Sequence, residues 1–318
     1  MRFLQLEYVL AVAECKSFSK AAQKLFISQP SLSQYIMGLE KEFGVQFFDR
    51  SVSPIRLTYA GEIFVDYAQR ILMLKKQLED TLLDETTQQG GKLSVGFSPF
   101  RSSCLLPYVM PLFQQRFPEI KVEFAIQLLD QLATRAGDGL LDLFLTVRPI
   151  PREQEFCCEH LVQERVVLAV PPNHPINEEL TEYCVPEQYF IDSSRRRLLD
   201  SCQTVPLSRF AALPFVLLGS GQNLHKLALQ LCSRAGFQPD IRLTNSSLES
   251  IASLVISGMG TTFVPDTYIK FSNLRTHPKY YLLDDPTAQR ELVAAYKKNR
   301  KLSVAGQAFI HILKDSLQ

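Results

Sequence analysis

Apolar residues recur at helical spacing through the N-terminal part of the chain, and beyond Lys92 they gather into short runs; this change of period predicts an all-α beginning followed by an α/β remainder. The stretch Ser17 to Glu40 carries the sharpest pattern, two short helices joined by a tight turn. Ala21, Ala22 and Leu25 give the first helix an apolar face, Ser19 is placed to cap it, and Ile27 falls in the turn. Ser28 is placed to cap the second helix, and Pro30 is tolerated in its first turn, where a missing N–H costs little. Leu32, Ile36, Leu39 and Phe43 occupy one narrow arc and are expected to be buried. The opposite face carries Pro30, Ser31, Ser33, Gln34, Met37 and Gly38, small or hydrogen-bonding groups that can enter a major groove and touch base edges. After Gly44, two β-like runs, Gln46 to Arg50 and Ile55 to Thr58, are separated by Ser53 and Pro54. They read as a wing, with Arg50 and Arg56 placed to reach phosphates or a minor groove.

From Ala60 to near Asp84 a long helix follows, with Ala60, Phe64, Tyr67, Ile71, Leu74 and Leu78 at alternating four- and three-residue steps. That seam suits pairing with a second copy of the chain. The polar run Glu85 to Gly91 reads as a hinge.

Beyond it, strands are expected at Leu93–Phe97, Val122–Gln127, Leu141–Val147, Val166–Val170, Phe215–Leu218, Ile241–Thr244 and Thr261–Val264, in largely parallel sheets. Helices are expected at Ser102–Phe117, Leu128–Ala136, Leu224–Ala235 and Leu248–Ser257, with Gly236 and Gly258 as C-terminal caps. Further strands near Tyr281 and Val293 and a last helix, Val304–Leu317, are expected after these, and the family resemblance set out below implies that they complete the first of two lobes. Ligands in such α/β folds sit beyond strand C-termini, beside helix N-termini. The first strand runs into Ser98, Arg101, Ser102 and Ser103, which suit an anion with Arg101 as clamp; opposite are Gly219 and Ser220. Thr146 at a strand end, Ser247 at a helix start and Pro265 after a strand are further effector-binding candidates. Each serine is also readable as a plain helix cap.

The segment from Met1 to Asp66 resembles the winged helix-turn-helix of LysR-type transcriptional regulators. The resemblance rests on Phe18, Ala21, Ala22, Leu25, Ser28, Gln29, Pro30, Ser33, Ile36, Leu39, Glu40, Gly44, Phe48, Arg50, Leu57, Thr58, Ala60 and Gly61. It implies double-stranded promoter DNA as partner, with Lys20, Lys24, Ser28, Gln29, Pro30, Ser31, Ser33, Gln34, Met37, Arg50 and Arg56 as the contacting set. Met37 stands where the family often has a basic residue, so phosphate anchoring passes to Lys20, Lys24, Arg50 and Arg56. The implied architecture is an α/β chain with an N-terminal all-α winged helix-turn-helix (1–59), a linker helix and hinge (60–91), and a two-lobed effector domain (92–318). That domain resembles periplasmic binding proteins, with lobe I at about 92–163 and 268–318 and lobe II at about 164–267. In this family the linker helices pair antiparallel, here through Phe64, Tyr67, Ile71, Leu74 and Leu78, to give a homodimer or homotetramer. A small-molecule effector, with an anion among the classes that suit the site, then changes promoter binding from the cleft.

The remaining composition limits other readings. The formal charge is +1, and Met1 to Ala60 holds seven Lys or Arg against five Asp or Glu, a surplus of two, so DNA recognition leans on geometry as much as charge. No run approaches a membrane span, and Glu7 and Glu14 mark the N-terminus as an amphipathic helix, so a cytoplasmic location with no membrane partner is expected. Seven cysteines without a CxxC pair argue against a zinc cluster or disulfide framework. Cys104 near a helix N-terminus, and Cys184 with Cys202 in one loop-rich region, leave open a redox-sensing alternative; an effector-independent regulator of the same fold is another. No nucleophile–histidine–acid set, phosphate loop or metal spacing supports an enzyme, and no cofactor is expected. The segment Pro175 to Ala211, with Arg195, Arg196 and Arg197, is longer than the corresponding family connection and reads as a solvated face, a lid or an oligomer contact.

Overall fold

The computed structural model describes residues 2–52, 54–86, 91–186, 189, 196–272 and 274–317, with the backbone alone described at 73, 76–77, 80–86 and 196–198. The chain divides into two compact units, Met1–Gln88 and Gln89–Gln318.

In the first unit, α1 (Phe3–Cys15), α2 (Phe18–Lys24) and α3 (Gln29–Phe43) enclose a core of Val9, Val12, Ala21, Ala22, Leu32, Ile36 and Leu39. Ser17, not Ser19, caps α2, its hydroxyl accepting from the Lys20 amide. Ser28 caps α3 as expected, accepting from Ser31 N, and Gly44 ends that helix at φ 68°. Phe43, expected in the buried stripe, is 49% exposed, because the stripe ends where the chain turns into the wing. The wing pairs β1 (Phe48–Asp49) antiparallel with β2 (Arg56–Leu57).

Buried Glu40 organises this junction: one carboxylate oxygen accepts from Phe47 N at 2.8 Å and the other from Arg50 at 2.7 Å. The Arg50 guanidinium also lies 5.0 Å from the centre of the Phe18 ring. Thr58 donates to Gln46 O, and a Cβ on Gly61 would meet Phe47 O at 2.0 Å, so only glycine lets the next helix approach the wing. That helix, α4 (Tyr59–Thr86), runs past the expected end near Asp84. Of the expected hinge, 87–90 lie outside the described residues and Gly91 instead opens a strand.

In the second unit, lobe I packs α5 (Pro99–Arg116), α6 (Leu129–Gly137) and α11 (Val304–Leu317) against a sheet. Its strands are β3 (Gly91–Phe97), β4 (Ile120–Ile126), β5 (Leu143–Val147), β12 (Gln289–Lys297) and part of β6 (Phe156–Val170), in the order β4-β3-β5-β12-β6. Lobe II holds α7 (Ile176–Glu179), β7 (Thr204–Val205), β8 (Pro214–Leu218), α8 (Asn223–Arg234), β9 (Asp240–Asn245), α9 (Leu248–Ile256), β10 (Thr262–Pro265) and β11 (Lys279–Leu283). A short helix, α10 (Asp266–Phe271), follows β10 and was not anticipated.

β6 joins the lobes. Its Phe156–Arg165 half pairs with β12 and its Val166–Val170 half with β10 and β11, all antiparallel. The expectation of largely parallel sheets is therefore corrected: among the described strands parallel pairing joins β3 with β4 and β5, β8 with β9, and β11 with β7, with one further parallel bridge between Phe215 and Thr261. The expected strand at Val166–Val170 is only the apolar second half of β6, since the alternating half before it carries less hydrophobic signal. Tyr281 also moves: β11 pairs with the lobe II half of β6, and Tyr280, Tyr281, Leu282 and Leu283 belong to the lobe II core. Val293, by contrast, lies in the lobe I strand β12. Arg195 lies outside the described residues, and Arg196 and Arg197 open a 3-10 turn, Arg196–Ser201.

Candidate functional site

On the first unit, the outer face of α3 is set by burial of Leu32, Ile36 and Leu39 on the other side. Gln29, Pro30, Gln34 and Met37 are exposed there, with Ser31 and Ser33 half-buried beside them. Ser28 Oγ and Ser31 Oγ share a hydrogen bond of 2.8 Å, so both hydroxyls serve the helix start. Lys20 and Arg56 are exposed. Lys24 is held 2.7 Å from Glu14, whose carboxylate raises the lysine pKa. The Arg50 guanidinium bridges Glu40 and the Phe18 ring and so braces the wing, its side chain remaining 36% exposed.

The seam on α4 divides in two. Tyr67, Leu74 and Leu78 are 58%, 59% and 60% exposed. Phe64 does not join them: its ring stacks 4.2 Å from Phe47 and meets Phe43 edge-on, facing the unit's own core. Ile71 is half-buried.

On the second unit, a cavity of about 60 Å³ lies between the lobes. Its walls include Phe100, Leu128, Leu132, Leu218 and Leu224, and its polar lining is Ser98, Arg101, Thr146, Gln222, Asn223 and Arg290. Of the expected effector set, Ser98, Arg101 and Thr146 meet here. The others do not. Ser102 is turned back to Pro99 O, Ser103 bonds Phe100 O and Glu249, and Ser247 caps α9 by accepting from Ser250 N. Pro265 pairs with Val166 in the sheet, while Gly219 and Ser220 fall outside the lining, which that loop reaches through Gly221 and Gln222. The hydroxyls of Ser102, Ser103 and Ser247 each bond backbone of their own helix, and Ser103 and Ser247 also meet Glu249.

Arg101 is also reassigned. Its fork donates two hydrogen bonds, 3.0 and 2.9 Å, to fully buried Glu164, so it is not a free clamp. Arg290, which stands opposite Glu164 in the β12–β6 register, donates to the same carboxylate at 2.5 Å, and Thr267 adds a fourth bond. Burial pushes the Glu164 carboxyl up, but Arg101 and Arg290 outweigh it and hold the pKa at about 2. The two arginines and one carboxylate leave one positive charge in excess. Ser98 Oγ and Arg290 Nε are buried at the cavity without a hydrogen-bond partner.

Glu164 and Arg290 were missed as site residues. The available signal was a pair of adjacent opposite charges before each apolar run, Glu164-Arg165 before VVLAV and Arg290-Glu291 before LVAAY, and only the strand register brings Glu164 and Arg290 together.

One part of the cysteine reading is corrected: Cys104 does not have a lowered pKa. Cys104 is buried, and burial pushes its thiol up to about 12 despite Arg101 nearby; Cys232 is likewise pushed to about 12. Burial also raises Cys158 and Cys202. A helix N-terminus does not lower Cys104, because desolvation of the thiolate dominates. Among the described residues no helix is long and apolar enough to cross a membrane.

A winged helix-turn-helix and a two-lobed ligand cleft on one chain define a ligand-responsive DNA-binding regulator. Comparison with known proteins agrees. Residues 3–62 match the bacterial regulatory helix-turn-helix proteins of the lysR family, and residues 86–318 match the LysR substrate binding domain. The chain is 31% identical over 314 residues to the uncharacterized HTH-type transcriptional regulator YcgK of Bacillus subtilis, covering 98% of this chain and 94% of that one. Its fold is similar to a Corynebacterium glutamicum OxyR C206 mutant (26% identity, TM-score 0.59, covering 100% of this chain and 92% of the other). It is also similar in fold to full-length CbnR complexed with its target DNA (22% identity, TM-score 0.70, covering 99% and 100%). The chain belongs to the LysR family, and is a DNA-binding transcriptional regulator with an effector-binding domain.

Proposed function

We propose that α3 reads duplex DNA in the major groove through Gln29, Pro30, Ser33, Gln34 and Met37, with Lys20 and Arg56 on phosphates and Lys24 beside them. The observation that carries this is the polar, exposed face of α3, held by a buried stripe and a braced wing. Tyr67, Leu74 and Leu78 on α4 pair with a second copy, and a small molecule enters the inter-lobe cleft beside Ser98, Thr146 and Arg290. Binding there favours one arrangement of the lobes over another and so biases promoter binding. The chain acts as a regulator and not as an enzyme, in the cytoplasm where promoter DNA lies; the family membership supports both. Burial raises the Cys104, Cys158, Cys202 and Cys232 thiols, which weighs against those four as low-pKa redox sensors. Cys104→Ser is expected to leave the effector response intact, read as ligand-dependent change in DNA binding.

Measurement of binding to a duplex selected from a random pool tests the reader. Gln34→Ala is expected to weaken that duplex by about 1–3 kcal/mol while leaving random DNA nearly unaffected. Arg56→Ala is expected to weaken both and to lower the salt slope by about one. Equal loss on selected and random DNA for Gln34→Ala would refute its base-reading role.

A further inference from the structure

Gly38 has no internal reason to be glycine. The first unit holds three glycines among its described residues, and two of them are explained by the fold. Gly44 ends α3 at φ 68°, and Gly61 admits Phe47 O where a Cβ would stand at 2.0 Å. Gly38 does neither: it lies inside α3, exposed and in helical backbone, and a Cβ built on it meets nothing within 4 Å. Glycine is the poorest helix former after proline, so this position weakens its own helix and gains no packing in return. A residue at odds with its local structure, with no compensating contact inside the unit, points to something outside it.

Its place on the helix says what lies there. At 3.6 residues per turn, Pro30, Gln34, Gly38 and Lys41 follow one another by four, four and three along one stripe, opposite the buried Leu32, Ile36 and Leu39. Lys41 is exposed, and among the described residues no carboxylate engages it, unlike Lys24, held by Glu14, and Arg50, held by Glu40. Of its acidic neighbours, Glu40 is turned inward to the wing and Glu42 lies about 100° further round the helix.

Dimensions bring the stripe to the groove wall. An α-helix with its side chains is roughly 10–12 Å across and the major groove roughly 12 Å wide, so a flank without a side chain lets the helix backbone close on one wall. From Pro30 to Lys41 the rise is about 16 Å, more than that width. In a helix set across the groove, the stripe therefore starts over base edges and ends over a phosphate strand.

We propose that α3 docks with Gly38 against the sugar–phosphate wall of the major groove, where any side chain would hold the helix off, and with Lys41 on the phosphate beyond. This rests on α3 as the DNA reader and deepens that reading. It adds the residue that sets how far the helix enters, and a cation one turn beyond Met37 that serves where Met37 carries no charge. Helix stability and DNA affinity then pull in opposite directions at Gly38.

The test uses the full chain and reads binding to the selected duplex, thermal unfolding and sedimentation. Gly38→Ala is expected to weaken the selected duplex about tenfold, and Gly38→Leu about a hundredfold or more, while both variants unfold no earlier than the parent and keep its mass. Lys41→Gln is expected to weaken selected and random duplexes alike and to lower the salt slope by about one. Parent affinity in both Gly38→Ala and Gly38→Leu overturns the close approach. Gln34→Ala keeps the two readings apart: if it still discriminates selected from random DNA, α3 stays the reader and only the role of Gly38 falls, and if it too is silent, the reader itself falls. Weakened binding accompanied by earlier unfolding or by a lower mass assigns the glycine to the fold or to pairing of copies, and overturns the proposal. An unchanged salt slope in Lys41→Gln removes Lys41 from the phosphates.

Discussion

Leu74→Asp is expected to lower affinity for a selected two-half-site duplex by about 10²- to 10⁴-fold, the loss that follows when two linked readers become one. Leu74 is 59% exposed on α4, as are Tyr67 and Leu78 to similar degree, so the substitution leaves the unit's own core untouched. In a paired helix the new carboxylate meets apolar side chains and stays uncompensated, which favours separation. Sedimentation of the full chain is expected to show half the parent mass, with thermal stability of the first unit preserved. Phe64→Asp gives the contrast: it strikes the Phe43–Phe47–Phe64 cluster and is expected to unfold the winged domain itself. Parent mass and parent DNA affinity in Leu74→Asp would reject pairing through this face.

Glu164→Ala is expected to cost about 3–5 kcal/mol of stability in the effector domain, because it leaves the Arg101 and Arg290 guanidiniums buried together with no carboxylate between them. Denaturant unfolding of the full chain reads this directly. The same group sets an acid limit. Its pKa is depressed to about 2 from an ordinary 4.5, so the native state gains stability that is fully present above the unfolded pKa. That contribution, roughly 3 kcal/mol, is lost as pH falls from about 4.5 through about 2. The parent is therefore expected to lose stability across that interval and the Glu164→Ala chain to lose less. Equal slopes in the two chains would show that the cluster does not control acid unfolding.

Much of the DNA-reading unit is legible in the chain because its signals are local. A helix face is written in residues three and four apart, a cap in residues three apart, and a turn in one proline or glycine. Leu32, Ile36 and Leu39 are buried as their spacing demands, and Ser28 caps α3. The errors are equally local: Ser17 and Ser19 both precede helical pattern, and only the backbone decides which accepts the Lys20 amide. Arg50 shows the limit. Its place beside the wing suggests phosphate, while its use as a brace depends on Glu40 arriving from the preceding helix.

The effector domain separates the two levels more sharply. Sequence alone determines that strands and helices alternate beyond Lys92, that apolar content suffices for their cores, and that Ser98 and Thr146 stand at strand ends. Tertiary structure decides that β6 serves both lobes, that β11 belongs to the second, and that Arg290 comes to lie opposite Glu164 across more than a hundred residues. The reason is physical: amphipathic period and capping act within a few residues, whereas the pairing of strands and the sharing of a buried carboxylate between two arginines depend on register between distant segments. Arg101 was visible as a charge at a helix start, but whether it faces a ligand or a neighbour was settled only when Glu164 packed against it.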